Sequence, residues 1–204
     1  MVEHSLSLLG VVADSTAGLD AADKALHQTA AFAGFSSYAL MVATVVWGVL
    51  TATNLVQRSV RRETLYGGHM TMAIAAICFA VVHAAGNVFR PLAHISLANA
   101  IVPWLGTATA VATGVVSVEL AVVTAVSVWF QRRLGYRTWQ TVHYLGYPTY
   151  GFAIVHTVMA GSDVRVPLIE IALAVSVVLV AAICVLRILP SSSLVRERIS
   201  MDYR

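Results

Sequence analysis

Long uncharged apolar runs alternate with short polar loops along this chain. Five runs, at about 31–56, 67–88, 106–130, 139–160 and 168–189, are long enough to cross a bilayer at roughly 1.5 Å per residue. Phe89-Arg90-Pro91 should end the second run, because proline cannot continue a helical ladder. Residues 91–103 are moderately apolar but too short to span, which suits an interfacial or re-entrant helix that acts as a lid. Residues 1–30 carry Asp14, Asp20, Asp23 and Lys24 and lack the basic start of a signal peptide. They are expected at the outer surface as a partly helical amphipathic segment or a tail, with His4 and His27 solvated. The predicted fold is an all-α membrane protein of about five transmembrane helices, with a bundle over 31–190 and a tail over 191–204.

Composition agrees, with 58% hydrophobic and 11% charged residues in 204. The 13 Lys and Arg residues are unevenly placed. Ten lie in the loops after runs one and three and in the segment from Arg187, against Lys24, Arg90 and Arg165 on the other side. The positive-inside rule then puts the N-terminus outside and the C-terminus in the cytoplasm, most simply in a plasma membrane. The basicity therefore reports topology, and no nucleic-acid partner is expected. Cys78 and Cys184 both lie in apolar runs and no Cys-x-x-Cys-His occurs, so a haem would be held by ligation and packing alone.

The candidate chemistry is four histidines in two of the runs. An imidazole in hydrocarbon needs a partner for its nitrogens. His69 and His83 are 14 residues apart, which at 3.6 residues per turn leaves them within about 40° of one another and roughly 21 Å apart along an axis. His143 and His156 are 13 apart, which on an ideal helix is roughly 140° out of phase. Gly146, Pro148 and Gly151 lie between them, so a local rewinding of that helix is expected. Both runs point the same way, so His69 pairs in depth with His143, and His83 with His156. Two stacked bis-imidazole pairs suit two haems b. A zinc or copper transporter would cluster its ligands at one depth with carboxylate or thiolate company.

The run Leu134-Gly-Tyr-Arg-Thr-Trp139-Gln-Thr-Val-His143, followed by His156 and preceded by Arg61-Arg62 and the His69 and His83 pair, resembles the ferric reductase-like transmembrane domain. That family includes the membrane parts of NADPH oxidases and ferric reductases and the haem subunit of a methionine sulfoxide reductase. The resemblance covers about residues 35–190. It implies that His69 and His143 ligate an inner haem, and His83 and His156 an outer one. It further implies electron transfer from a cytoplasmic-side donor to ferric iron, dioxygen or a redox partner outside. No Gly-x-Gly-x-x-Gly motif is present, so the expected donor is a separate flavoprotein or a quinol. The other readings are an anchor subunit of a larger membrane complex and, more remotely, a metal carrier.

Four further residues are expected near the cofactor. Arg90 and Arg137 have the chemistry to pair with haem propionates, the alternative for Arg137 being lipid phosphate. Trp139 belongs to the family-like motif. Glu119, the acidic residue deep in a run, is either a proton relay or haem-side hydrogen bonder, or a helix-packing group. His94 is read as a packing residue, with propionate or substrate contact as the alternative.

Overall fold

The computed structural model describes residues 2–52, 60–161 and 166–188, and the side chains of 16–52, 60–161 and 166–185. Arg58, the turn containing Arg165, Pro190, the 191–204 tail and the side chain of His4 lie outside the described residues. Eight helices and no strand occur among those described: α1 (Val2–Ala52), α2 (Arg62–Val88), α3 (Leu97–Ile101), α4 (Thr109–Val126), α5 (Gln131–Leu134), α6 (Tyr136–His143), α7 (Gly146–Ala160) and α8 (Pro167–Ile188). Among the described residues, four stretches are long and apolar enough to cross a membrane: Thr16–Ala52, Arg62–Val88, Thr109–Ser127 and Pro167–Val185. The chain is a multi-pass, all-helical membrane protein.

α1 is continuous across residue 30, so the N-terminal segment extends the first apolar run as helix. α2 opens with Glu63 in its first turn, where a carboxylate meets the positive end of the helix dipole, and stops just before Phe89-Arg90-Pro91 as its proline dictates. The interfacial stretch forms only the five-residue α3. A capping box holds its start, with the Ser96 hydroxyl accepting from the Asn99 amide and the Asn99 side chain accepting from Ser96 N–H. Asn99 also donates to the Leu105 carbonyl. Gly135, at φ 75°, takes the left-handed conformation that separates α5 from α6.

The run expected to form one helix over 139–160 is two helices, of 8 and 15 residues. Pro148 supplies the cause. It has no N–H to give the Tyr144 carbonyl four residues earlier, and that carbonyl accepts from Tyr147 N–H at 3.0 Å instead. Leu145 N–H likewise bonds Val142 O at 3.0 Å, so both bonds are of the tighter three-residue kind. Such winding advances each residue by about 20° more than an α-helix does. The added rotation runs in the direction that narrows the gap in phase between His143 and His156.

Contacts divide the chain into two units, residues 1–41 with 73–161, and 42–72 with 162–204. In the first, α4 and α7 pack closely through small residues. Ala112 is fully buried, Ala153 and Thr149 are nearly so, and the buried Ser117 hydroxyl donates to Thr149 O at 2.9 Å. Small residues let two helix backbones approach, and a hydroxyl between them needs an acceptor. Residues 30–37 of α1 lie against residues 76–86 of α2 in the same manner. Ser37 donates to Ala76 O at 2.8 Å, and a Cβ on Gly86 would stand 2.9 Å from that of Ala30. In the second unit, Trp47 Nε1–H donates to Leu65 O at 2.8 Å.

Ser117→Ala should cost about 0.6–1.7 kcal/mol, the range for interhelical hydrogen bonds in bilayers. Ser117→Leu should cost more, because the added volume must push α4 and α7 apart. Unfolding curves of both variants in the same detergent test that order.

Candidate functional site

Three of the four candidate histidines present Nδ1 to a backbone carbonyl of a neighbouring helix. His83 Nδ1 lies 2.7 Å from Ala30 O, His156 Nδ1 2.6 Å from Ala110 O, and His69 Nδ1 3.1 Å from Thr44 O. A carbonyl oxygen only accepts, so each Nδ1 must carry the proton and donate. Each Nε2 is thereby left with its lone pair, the form in which imidazole binds a metal.

Within the first unit, the rings of His83 of α2 and His156 of α7 lie beside one another, edge to face. Their ring centres are 5.9 Å apart and their planes nearly perpendicular, at 82°. An imidazole–metal–imidazole axis with bonds of roughly 2 Å puts ring centres about 6 Å apart, so the pair is spaced for one shared metal. The rings reach this position because glycines give them room. A Cβ at Gly34 would stand 2.7 Å from His83 Nδ1, and one at Gly114 would stand 2.7 Å from His156 Nδ1.

Among the described residues, no group of three or more His, Cys, Asp or Glu side chains gathers to hold an ion. A bare zinc or copper ion asks for about four ligands. A metal already held in a macrocycle asks the protein for fewer ligands, and a pair of imidazoles fits that need.

His143, at the end of α6, stacks on Trp139 with ring centres 5.0 Å apart and planes 28° from parallel. The sequence-predicted Trp139 and His143 are therefore brought together. Trp139 Nε1 is buried with no acceptor among the described residues, and a carboxylate at this end of the site would satisfy it. Arg137, on the same helix, is exposed.

Arg90 is committed in part to a partner that sequence reading missed. Its guanidinium donates to Asp23 of α1 at 2.9 Å, and the other Asp23 oxygen accepts from Leu92 N–H at 3.1 Å. Arg90 Nε is buried without an acceptor among the described residues. The clasp ties the loop after α2 back to α1, and its 67-residue separation left no local signal. His94, exposed and at φ 51°, lies in that loop. Glu119 is exposed on α4 and borders an open apolar groove with Val115, Val118 and Val122 of α4 and Ala100 and Ile101 of α3.

Removing Asp23 strands a half-buried guanidinium. Asp23→Ala should loosen this loop, because the Arg90 guanidinium and the Leu92 N–H both lose their acceptor. Limited proteolysis should detect it as faster cleavage in 90–96, with Ser37→Ala as a comparison that leaves that loop intact.

A comparison with curated proteins and one with solved structures return no match. The family model described as ferric reductase like transmembrane component matches residues 33–159, a stretch that contains all four of these histidines. More than half of the chain is matched, and the protein belongs to the ferric reductase-like transmembrane family.

Proposed function

We propose that this protein is a di-haem b-type membrane cytochrome that carries electrons from a cytoplasmic-side donor to an acceptor outside. The observation that carries the reading is the neighbouring pair His83 and His156, spaced 5.9 Å between ring centres and each with Nδ1 held by a backbone carbonyl. Haem, when bound, supplies one-electron redox chemistry that the side chains of this site lack.

The chain's own residues do the rest. His83 and His156 would hold one haem, each ring oriented by its Nδ1 contact to the carbonyl of Ala30 or Ala110. For His69 and His143, pairing at a second haem rests on their matching depths in the sequence and on the family. Arg90 Nε and Trp139 Nε1, both buried donors without an acceptor among the described residues, are suited to haem propionates. Arg137 is exposed and is assigned to the donor-facing or lipid-facing surface. Glu119 borders an apolar groove and is the candidate for a proton relay.

The five-span topology takes α6 and α7 together as the fourth crossing, with the arginine-bearing loops in the cytoplasm of a plasma-membrane protein. Those loops suit a separate flavoprotein donor, or a quinol near the inner haem. The acceptor is ferric iron, dioxygen or a redox partner, within a larger membrane complex if the partner is a protein.

The test is haem stoichiometry and the reduced spectrum of the purified protein. Two haems b per chain are expected. His83→Ala and His156→Ala should abolish the same spectral component, and His69→Ala and His143→Ala the other. A well-folded protein without haem, or four variants that each keep both components, would overturn the reading.

A further inference from the structure

The three carbonyl-bound histidines share a feature that no side-chain motif encodes. The acceptor is residue i of the facing helix, and residue i+4 of that helix is glycine. Ala30 is followed by Gly34, Thr44 by Gly48, and Ala110 by Gly114. The 14-residue step from His69 to His83 along α2 is matched by the 14-residue step from Gly48 back to Gly34 along α1.

The spacing has a geometric cause. A helical carbonyl points toward the N–H of residue i+4, and the Cβ of i+4 tilts back toward the helix N-terminus, over that carbonyl. A ring pressed edge-on against such a carbonyl can donate to its second lone pair from the place that Cβ would fill, and these three histidines do so. The missing Cβ would stand 2.7 Å from His83 Nδ1, 2.7 Å from His156 Nδ1 and 3.0 Å from His69 Cε1. By contrast, Gly67 of α2 and Gly151 of α7 have open space where their Cβ would be.

Glycine in a helix is about 1 kcal/mol less favourable than alanine in water. At three places that cost coincides with a histidine pressed onto the backbone.

We propose that Gly34, Gly48 and Gly114 are positioning residues. Each opens a backbone socket in which the carbonyl four residues upstream fixes the histidine as the Nδ1–H tautomer, aims Nε2 away from the facing helix and raises its basicity as a ligand. α1, which carries none of the four histidines, sets the state of both histidines on α2. The His83 and His156 pair has a socket on each ring. The consequence for haem rests on the function proposed above; the tautomers do not.

The test compares Gly34→Ala, Gly48→Ala and Gly114→Ala with the controls Gly67→Ala and Gly151→Ala, all as purified full-length protein. Haem per chain, low-temperature electron paramagnetic resonance and the midpoint potential of each component are the readouts. Gly34→Ala and Gly114→Ala should alter the same component, by losing haem or by raising its potential as the ligand becomes less basic. Gly48→Ala should alter the other, and the controls neither. Wild-type haem content, resonance and potentials in all three socket variants would overturn the proposal, as would equal effects from the controls.

A second measurement stands apart from variant folding and from haem. In reduced wild-type protein labelled with ¹⁵N-histidine and assigned by single His→Gln changes, Nδ1 of His69, His83 and His156 should be protonated. Protonation at Nε2 instead would overturn the sockets. A wild type that lacks haem but shows the Nδ1–H tautomers would sink the cytochrome reading and leave the sockets standing.

Discussion

A histidine between membrane helices has two polar nitrogens and almost no water to satisfy them. Here one nitrogen is given to a helical carbonyl in three cases, at 2.6–3.1 Å, and the packing of the helices follows from that bond. A ring can touch a carbonyl that already serves its own helix only if the facing backbone comes close. Small residues supply the closeness: Ala30, Ala33 and Ser37 on α1, and Ala112, Ser117 and Ala153 between α4 and α7, are all buried. The glycines remove the last obstacle. The bundle is thus built around access to backbone oxygens as much as around apolar contact.

The same economy explains the break between α6 and α7. An unbroken helix over 139–160 would point His143 and His156 to different sides. Pro148 denies the Tyr144 carbonyl its usual donor, and the tight turn at Tyr144 and Leu145 restores a partner while adding rotation. The Tyr144 carbonyl thus keeps a donor, as a membrane demands at a helix irregularity. The residue that forbids a regular helix is the one that lets the two histidines share a helical path.

Much of this was legible in the sequence. Apolar run length located α1, α2, α4 and α8, and the histidine pairs stood out because the other runs hold none. Pro91 marked the end of α2, and the 13-residue spacing demanded a distortion near Pro148. The division into α6 and α7 escaped, since hydropathy averages over a break of two residues. The acceptors of the histidines escaped for a deeper reason. Ala30 and Ala110 contribute only a carbonyl, which every residue has, so their identity says nothing of their role. The spacing of Gly34 and Gly48 was the available signal, legible only once α1 is known to face α2. Asp23 and Arg90 meet across 67 residues, and no local pattern announces such a pair.

Two imidazoles are a poor cage for a bare ion and fit the need of a metal already held in a macrocycle. That distinction supports the proposed cytochrome over a metal carrier, a choice composition does not touch, because both live in membranes and both use histidine. A carrier must also release its ion, and release favours ligands that can swing away. The histidines here are held the other way. Each of the three sits in a socket with no Cβ to spare, its Nδ1 tied to the backbone of a neighbouring helix, so Nε2 has little freedom to leave a bound metal. Rigid ligation costs an ion carrier its turnover. An electron carrier gains from it, because a ligand that stays put in both oxidation states leaves little to reorganise when the electron moves.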